Sequence, residues 1–361
     1  MADLAKCESD ATCIPYVCSE VTLTSSDVTE ENDEMVDEKC PCIDIHDVDN
    51  AQTQTDHMPD SVYLCIEKLQ YDNEGLHFYT GLENYDKFQC VFASLGPAVD
   101  HLCYSRTGTV DVISPQNQFL LMLVKLRQHH TYFELSRMFG TSQFTAENVF
   151  ITWVNFCSRQ WGELNLWPCR ALIKYHMLSD FRRKYPSTRV VVDATECPIK
   201  RPSNPTSQRV TYSRYKNKNT VKVLVGGSPH GLISYLSPAY GGSASDRQIV
   251  ERSALPSMCD PKDSIMADKG FNVQDLFAPY DVHINIPTFF RKKNRMSGRT
   301  VMKDRRISSK RAHIERFIGG MKTYKILTEK LNATEIKLAS RITFICAMLF
   351  NFRNKLVTDK A

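Results

Sequence analysis

Long apolar runs are missing from this 361-residue chain. The longest candidate, Ile342 to Phe350, includes Thr343 and Cys346 and falls far short of the roughly 18 apolar residues a membrane span requires. The opening residues lack the charged-then-apolar order of a secretory signal, so an intracellular protein is expected. There are thirteen cysteines, but no two have CxxC spacing. Cys7, Cys13, Cys18, Cys40 and Cys42 with His46 are numerous enough to bind zinc, yet their spacing is irregular and their setting acidic. The other reading is a set of reduced thiols, several buried as small hydrophobes. No internal repeat is visible. Basic residues are nearly absent from positions 1–60, where sixteen Asp and Glu face only Lys6 and Lys39.

That last scarcity hides a strong asymmetry behind a net charge of +4. The first sixty residues carry −14, and the remainder therefore carries +18. An acidic, Ser- and Thr-rich stretch without apolar period is expected to be disordered. A basic body behind it suits a polyanionic partner, most simply nucleic acid; a solvated positive surface is the plainer reading. The length suggests more than one domain. The expected order is a disordered acidic tail (1–60), a lead-in helical segment (61–110), a helical unit (111–170) and an α/β unit (186–356). In the lead-in, Phe78–Gly81 reads as a turn and Tyr85–Leu95 as a helix.

In the helical unit, Pro115 opens a helix with Phe119, Leu120, Leu123 and Leu126 on one face. A short helix over 132–139 ends at Gly140, a natural stop. A third begins near Thr145-Ala-Glu-Asn148 and carries Val149, Ile151, Trp153, Val154 and Phe156. Two helices, a tight glycine turn and a longer third helix make a helix-turn-helix, although a plain three-helix bundle has the same pattern. In a helix-turn-helix, Gln143, Thr145, Glu147 and Asn148 would face base edges. Trp153, Trp161 and Trp167 are expected in the core.

From Arg189 onward the texture changes. Apolar, β-branched runs at 190–192, 221–225, 232–236, 264–267 and 283–286 read as strands. Helical stretches fall at 245–255, 273–280, 308–326 and 333–356, and Gly226–Gly231 reads as a turn. The order β-β-β-α-β-α-β-α suits a ribonuclease-H-like mixed sheet with flanking helices, an α/β fold. Asp193 and Asp268 close two of the apolar runs, and Glu315 lies in the late helical stretch. A carboxylate at a buried strand end must be paired or bind a metal. Three from distant segments would make an oxygen-rich site for Mg²⁺ or Mn²⁺, the apparatus of phosphodiester cleavage. Ser245 or Asp246 could cap a helix after Gly241–Ser245; the other reading of Asp246 is a place near the metal. Glu196, three residues past Asp193, should point to the opposite face. His313, two positions from Glu315, is off its face and suits packing or a supporting role beside the ligands. Lys216, Lys218 and Lys222 flank a strand and could touch phosphates. Residues 291–311 carry ten Lys and Arg against Asp304 alone. This connection, with Arg291, Lys292 and Lys293, could grip DNA or act as a nuclear-import signal.

With these residues in view, Val190 to about Leu356 resembles the DDE endonuclease domain of Harbinger-type (PIF/Harbinger, IS5-like) transposases. The landmarks occur in order: Val192-Asp-Ala-Thr-Glu196, Tyr215-Lys-Asn-Lys-Asn-Thr220, Ser237-Pro-Ala-Tyr-Gly-Gly242, Ser245-Asp-Arg247, Ala267-Asp-Lys-Gly-Phe271 and His313-Ile-Glu-Arg316. Residues 115–165 look like the helix-turn-helix that precedes this domain. The resemblance implies a nuclear DNA endonuclease using divalent metal, with Asp193, Asp268 and Glu315 as the catalytic triad and metal ligands. It also implies DNA as partner, a Myb-like DNA-binding protein as a second one, and a homodimer on paired ends. The zinc-binding THAP module of some relatives has no counterpart in residues 1–60. The competing reading is a domesticated, catalytically silent DNA-binding or scaffolding protein.

Overall fold

The computed structural model of the protein describes residues 63–104, 106, 110, 112–268, 270–287 and 298–353. The acidic tail with its cysteine cluster and His46 lies outside the described residues, as do Arg291, Lys292 and Lys293. Among the described residues, no helix is long and apolar enough to cross a membrane.

The N-terminal half is helical: α1 (Ile66–Leu69), α2 (Asn73–Thr80), α3 (Tyr85–Ala93), α4 (Pro115–Gln128), α5 (Tyr132–Met138), α6 (Gln143–Gly162), α7 (Arg170–His176) and α8 (Ser179–Lys184). Phe78 to Thr80, expected as a turn, form the last turn of α2, and only Gly81 leaves it, with φ +77°. Ser114 caps α4 and Pro115 takes its first position, where a missing N–H costs nothing. Thr131 and Glu134 form a capping box on α5, and Gly140 (φ +63°) turns the chain into α6, capped by Ser142. The expected helix-turn-helix is present, with α6 starting two residues earlier than the apolar pattern suggests. Trp153 and Trp161 are buried, and Trp167 is half-buried.

The α/β half follows with β1 (Thr188–Pro198), α9 (Pro205–Thr211), β2 (Tyr212–Ser213), β3 (Lys218–Gly227), β4 (Ile233–Leu236), β5 (Tyr240–Gly241), α10 (Asp246–Glu251), β6 (Ser264–Met266), α11 (Gln274–Phe277), β7 (His283–Asn285), α12 (Gly298–Met321), α13 (Ala333–Lys337) and α14 (Ala339–Phe352). The sheet has the order β2-β3-β1-β6-β7, with β4 and β5 also on β3. β1, β3 and β4 are antiparallel, whereas β6 runs parallel to β1 and β7 parallel to β6. This is the expected mixed sheet.

Two further differences from the sequence reading concern glycines and the basic connection. Gly226 and Gly227 are not turn residues but the last rungs of β3, opposite Val192 and Val191. A Cβ on Gly227 would lie 2.3 Å from the Phe317 ring, so glycine is needed there for α12 to sit on the sheet. The basic connection is also mostly helix, because α12 begins at Gly298. Lys and Arg are good helix formers, and its first turns are largely exposed, so no apolar period announced them.

Strand alternation splits the apolar side chains between two layers. Val190, Val192, Leu224 and Ile265 pack with Ile249 and Val250 of α10 and Phe277 of α11. Val191, Val223, Val225 and Met266 pack with Ile314 and Phe317 of α12, in a core that continues through α14 into α4 and α6. The helical half and the sheet therefore share one core. A buried ion pair crosses it: Lys125 Nζ of α4 lies 2.8 Å from Glu335 Oε1 of α13, with His129 Nε2 3.2 Å from Oε2. Burial raises the Glu335 carboxyl, but the hydrogen bond to His129 and the charge of Lys125 outweigh it and hold it at about 2.

A carboxyl depressed on folding stabilises fully above its ordinary range and less as pH falls through its folded value. Stability should therefore decline as pH drops from about 4.5 towards about 2. Glu335→Gln leaves the Lys125 ammonium buried without a counter-ion and should cost about 3–5 kcal/mol at neutral pH, read by urea denaturation. A loss below about 1 kcal/mol would show that water reaches Lys125 in the folded state.

Candidate active site

The register between β1 and β6 creates the site. Their last parallel rung is Val191 with Met266. Asp193 and Asp268 each stand two residues beyond it, on neighbouring chains. Asp193 does not end its strand: β1 runs on to Pro198, paired only with β3, where Asp193 faces Val225. The correction is one of strand length. The apolar run stops at Val192, but the backbone ladder to β3 continues through Ala194-Thr-Glu-Cys-Pro198. A crevice at the carboxyl end of a parallel strand is the usual ligand site of open α/β sheets.

Glu315 arrives from α12 on the same side of the sheet, since Ile314 and Phe317 flank it and pack towards Gly227. Arg311, one turn earlier, joins the group. Its Nη1 lies 2.8 Å from Asp268 Oδ1 and its Nη2 lies 3.7 Å from Glu315 Oε1. The structure thus brings Asp193, Asp268 and Glu315 to one sheet edge around a guanidinium. Asp193 is half-buried, whereas Glu315 keeps 60% of its side chain exposed. Burial pushes the Asp193 carboxyl up; its hydrogen bond to the Ala194 N–H (2.9 Å) and the Arg311 charge oppose this, and Asp268 and Asp246 add to the rise. Among the described residues, no three His, Cys, Asp or Glu side chains converge closely enough as they stand to hold a metal ion.

Asp246 belongs to the second ring of charge. Ser245, not Asp246, is the cap of α10, accepting from the Gln248 N–H at 3.2 Å. Asp246 instead faces the Lys222 ammonium at 3.6 Å, and Lys222 also reaches Glu196 at 3.7 Å. Glu196 accepts from the Thr220 hydroxyl at 2.8 Å and belongs to this structural clamp. His313 is not beside the carboxylates. It is buried between Phe181 and Phe317, with ring centroids 5.5 and 5.1 Å away. Burial and the nearby Arg316 and Lys310 charges lower it to about 4. It is a packing residue, which corrects the supporting role.

At the helix-turn-helix, Gln143 is exposed and Thr145 half-buried with its hydroxyl 2.9 Å from Ser142 Oγ. Asn148 departs from expectation. It is fully buried and accepts the Arg106 N–H at 3.2 Å. Glu147 is held by Arg106 at 2.7 Å and accepts from Thr334 at 3.2 Å. Phe144, exposed on the same turn, was not expected. Lys216 and Lys218 are exposed on the β2–β3 hairpin. The cations at the carboxylates are Arg311 and Lys222 instead. The four-residue spacing of Arg311 and Glu315 was the signal for the first, masked by the surrounding basic run.

Residues 192–351 match the family described as DDE superfamily endonuclease, and residues 112–159 match the helix-turn-helix of DDE superfamily endonuclease. The chain belongs to the DDE superfamily of endonucleases. No curated protein and no solved structure gives a significant match. The DDE match begins one residue before Asp193 and ends within α14, so it spans the whole carboxylate edge. The helix-turn-helix match covers α4, α5 and most of α6.

The contact between Gly227 and Phe317 sets how close α12, and with it Glu315, comes to Asp193 in this DDE domain. Gly227→Ala should force α12 to shift and cost about 1–3 kcal/mol, the usual range for overpacking, measured by thermal unfolding. An unchanged melting temperature would mean that the helix does not rest on the sheet there.

Proposed function

We propose that the protein is a divalent-metal-dependent DNA endonuclease of Harbinger-type transposase ancestry, acting in the nucleus through a ribonuclease-H-like domain. The observation that carries this reading is the matched offset of Asp193 and Asp268 beyond one sheet rung, with Glu315 from α12 on the same side. Three carboxylates offer the hard oxygen donors that suit Mg²⁺ or Mn²⁺. Burial is the main reason the Asp193 carboxyl is raised, and Asp268 and Asp246 add to the rise. A divalent cation beside it would stabilise its ionised form. Asp193, Asp268 and Glu315 would hold it, with Glu315 turning from Arg311.

A bound divalent cation would supply a Lewis acid for the phosphodiester and ease deprotonation of the attacking water. The residues of the chain provide the rest. Asp193 is fixed by its strand and by the Ala194 N–H, so it presents an oriented oxygen. Lys222 restrains Asp246 from the other side. Exposed Gln143 and half-buried Thr145 at the start of α6 would meet DNA in the major groove.

Purified protein should nick supercoiled DNA in Mg²⁺ or Mn²⁺ but not in EDTA. Glu315→Gln should reduce nicking by roughly 10²-fold or more with DNA binding retained. Cleavage by the variant at the wild-type rate would remove Glu315 from the site.

The silent DNA-binding reading has one observation on its side: Arg311 bridges Asp268 and Glu315, where a metal would otherwise sit. Arg311→Gln separates the two readings without any activity assay. If the guanidinium only competes with the cation, Mn²⁺ measured by calorimetry should bind roughly fivefold more tightly, the worth of one partly exposed charge pair at ~1 kcal/mol. Weaker binding, or none by either protein, would favour the silent protein.

A further inference from the structure

A groove of about 1060 Å³ runs along the free edge of the sheet, between α9, the β2–β3 hairpin and the segment entering α10. Its walls are strongly cationic. Arg201, Arg209, Arg214, Lys218 and Lys330 line it, and Lys222 stands among its lining residues; none of the lining residues is acidic. Among the described residues, no ion pair engages Arg209, Arg214, Lys218 or Lys330. Like charges held together without partners raise the energy of the free protein, and a polyanion would relieve that repulsion.

Two tyrosines share the groove. Tyr215 projects from the hairpin tip with 83% of its surface exposed, and Tyr212 on β2 keeps 43% exposed. The hairpin that presents them is firmly built. Asn217 adopts φ +50° in the turn, the Ser213 hydroxyl accepts the Lys216 N–H at 3.2 Å, and Asn219 Nδ2 donates to Gln208 O of α9 at 2.9 Å. The glycines of the Tyr240-Gly-Gly242 landmark fit the same assembly. A Cβ on Gly242 would strike the Thr220 hydroxyl at 2.1 Å, and one on Gly241 the Val210 carbonyl at 2.4 Å. Two of the landmark segments therefore serve to build this groove.

Exposed aromatic rings set among unpaired cations make a stacking platform for nucleic acid. A ring can stack only on a base that is not already stacked inside a duplex. The groove borders the acidic residues around Lys222, which lies on its wall 3.6 Å from Asp246 and 3.7 Å from Glu196.

We propose that this groove binds unpaired DNA, the strand next to the cleaved phosphate, with Tyr212 and Tyr215 stacking on bases and Arg209, Arg214, Lys218 and Lys330 holding phosphates. The identity of that strand rests on the nuclease reading above; the binding itself does not. It is tested in EDTA, where nothing is cut, by fluorescence anisotropy of the full chain with labelled oligothymidine and with a duplex hairpin. The double variant Tyr212→Ala/Tyr215→Ala should bind oligothymidine roughly tenfold more weakly or worse and the duplex as wild type does. Arg209→Ala/Lys218→Ala should flatten the salt dependence of oligothymidine binding, by roughly 0.7 in the log–log slope for each phosphate no longer neutralised. Wild-type affinity of the tyrosine variant for oligothymidine would overturn the proposal, as would equal losses on both DNAs. Neither result touches the metal-dependent nicking that tests the nuclease reading.

Discussion

Unequal strand length is the constraint on which the site depends. β1 spans 188–198, while β6, its parallel neighbour, spans only 264–266. Where β6 stops, β1 keeps one hydrogen-bonding partner, β3, and loses the other. Asp193 stands at that step. Fully inside the sheet, its charge would be desolvated on every side; at a strand terminus, its position would be soft. The step gives it a rigid backbone and one open flank. Asp268 leaves β6 on that same flank, so the two carboxylates meet without any loop having to bring them together. Their mutual repulsion is the cost, and Arg311 offsets part of it. A helix must then approach closely enough to complete the group, which is why the last residue of β3 has no side chain.

The second constraint is the shared core. α4 packs against α6 and α6 against α14, and Arg341 of α14 donates to Asn155 of α6 at 2.9 Å. A buried Lys125–Glu335 pair joins α4 to α13. Removing either partner of such a pair is much costlier than exposing an apolar contact. The helix-turn-helix is therefore a fixed wall of the DDE domain and not a tethered module. On the proposed function, a duplex gripped at the start of α6 reaches the carboxylates through its own path or its own deformation.

Much of this was legible in the sequence because it follows from periodicity. β-branched runs with period two give the strands, Gly140 ends α5, and three isolated acids mark the edge of the sheet. What was not legible depends on residues that obey no period. Glycines at 226 and 227 read as a turn, since a sequence cannot tell backbone freedom from a need for space. The early turns of α12 were hidden because solvated Lys and Arg carry no amphipathic signal. Asn148 has the right spacing to face a base, but it is buried and its oxygen is taken by the Arg106 N–H. Arg311 was lost in a crowd of like charges, although its partner lies one turn away. In each case tertiary context decided between local options that look alike.

The charge arrangement follows one electrostatic logic. On the proposed function, a cluster of carboxylates repels the incoming DNA, so the approach must be driven from somewhere else. The chain separates the two signs in space: cations on the β2–β3 hairpin and α9 that have no ion pair among the described residues, and carboxylates at the β1–β6 step. Lys222 stands at the boundary, facing Glu196 and Asp246 while lining the groove. Arg311 stands within the acidic group itself. These two cations have opposite consequences. Lys222 holds its carboxylates in a clamp, and leaving it would cost the protein structure. Arg311 is mostly buried but pairs with side chains that are more than half exposed, so those carboxylates can turn from it towards water. On the proposed function, the acidic edge would exchange its positive charge without disturbing the clamp around Lys222, an asymmetry that suits a site that takes and gives up cations.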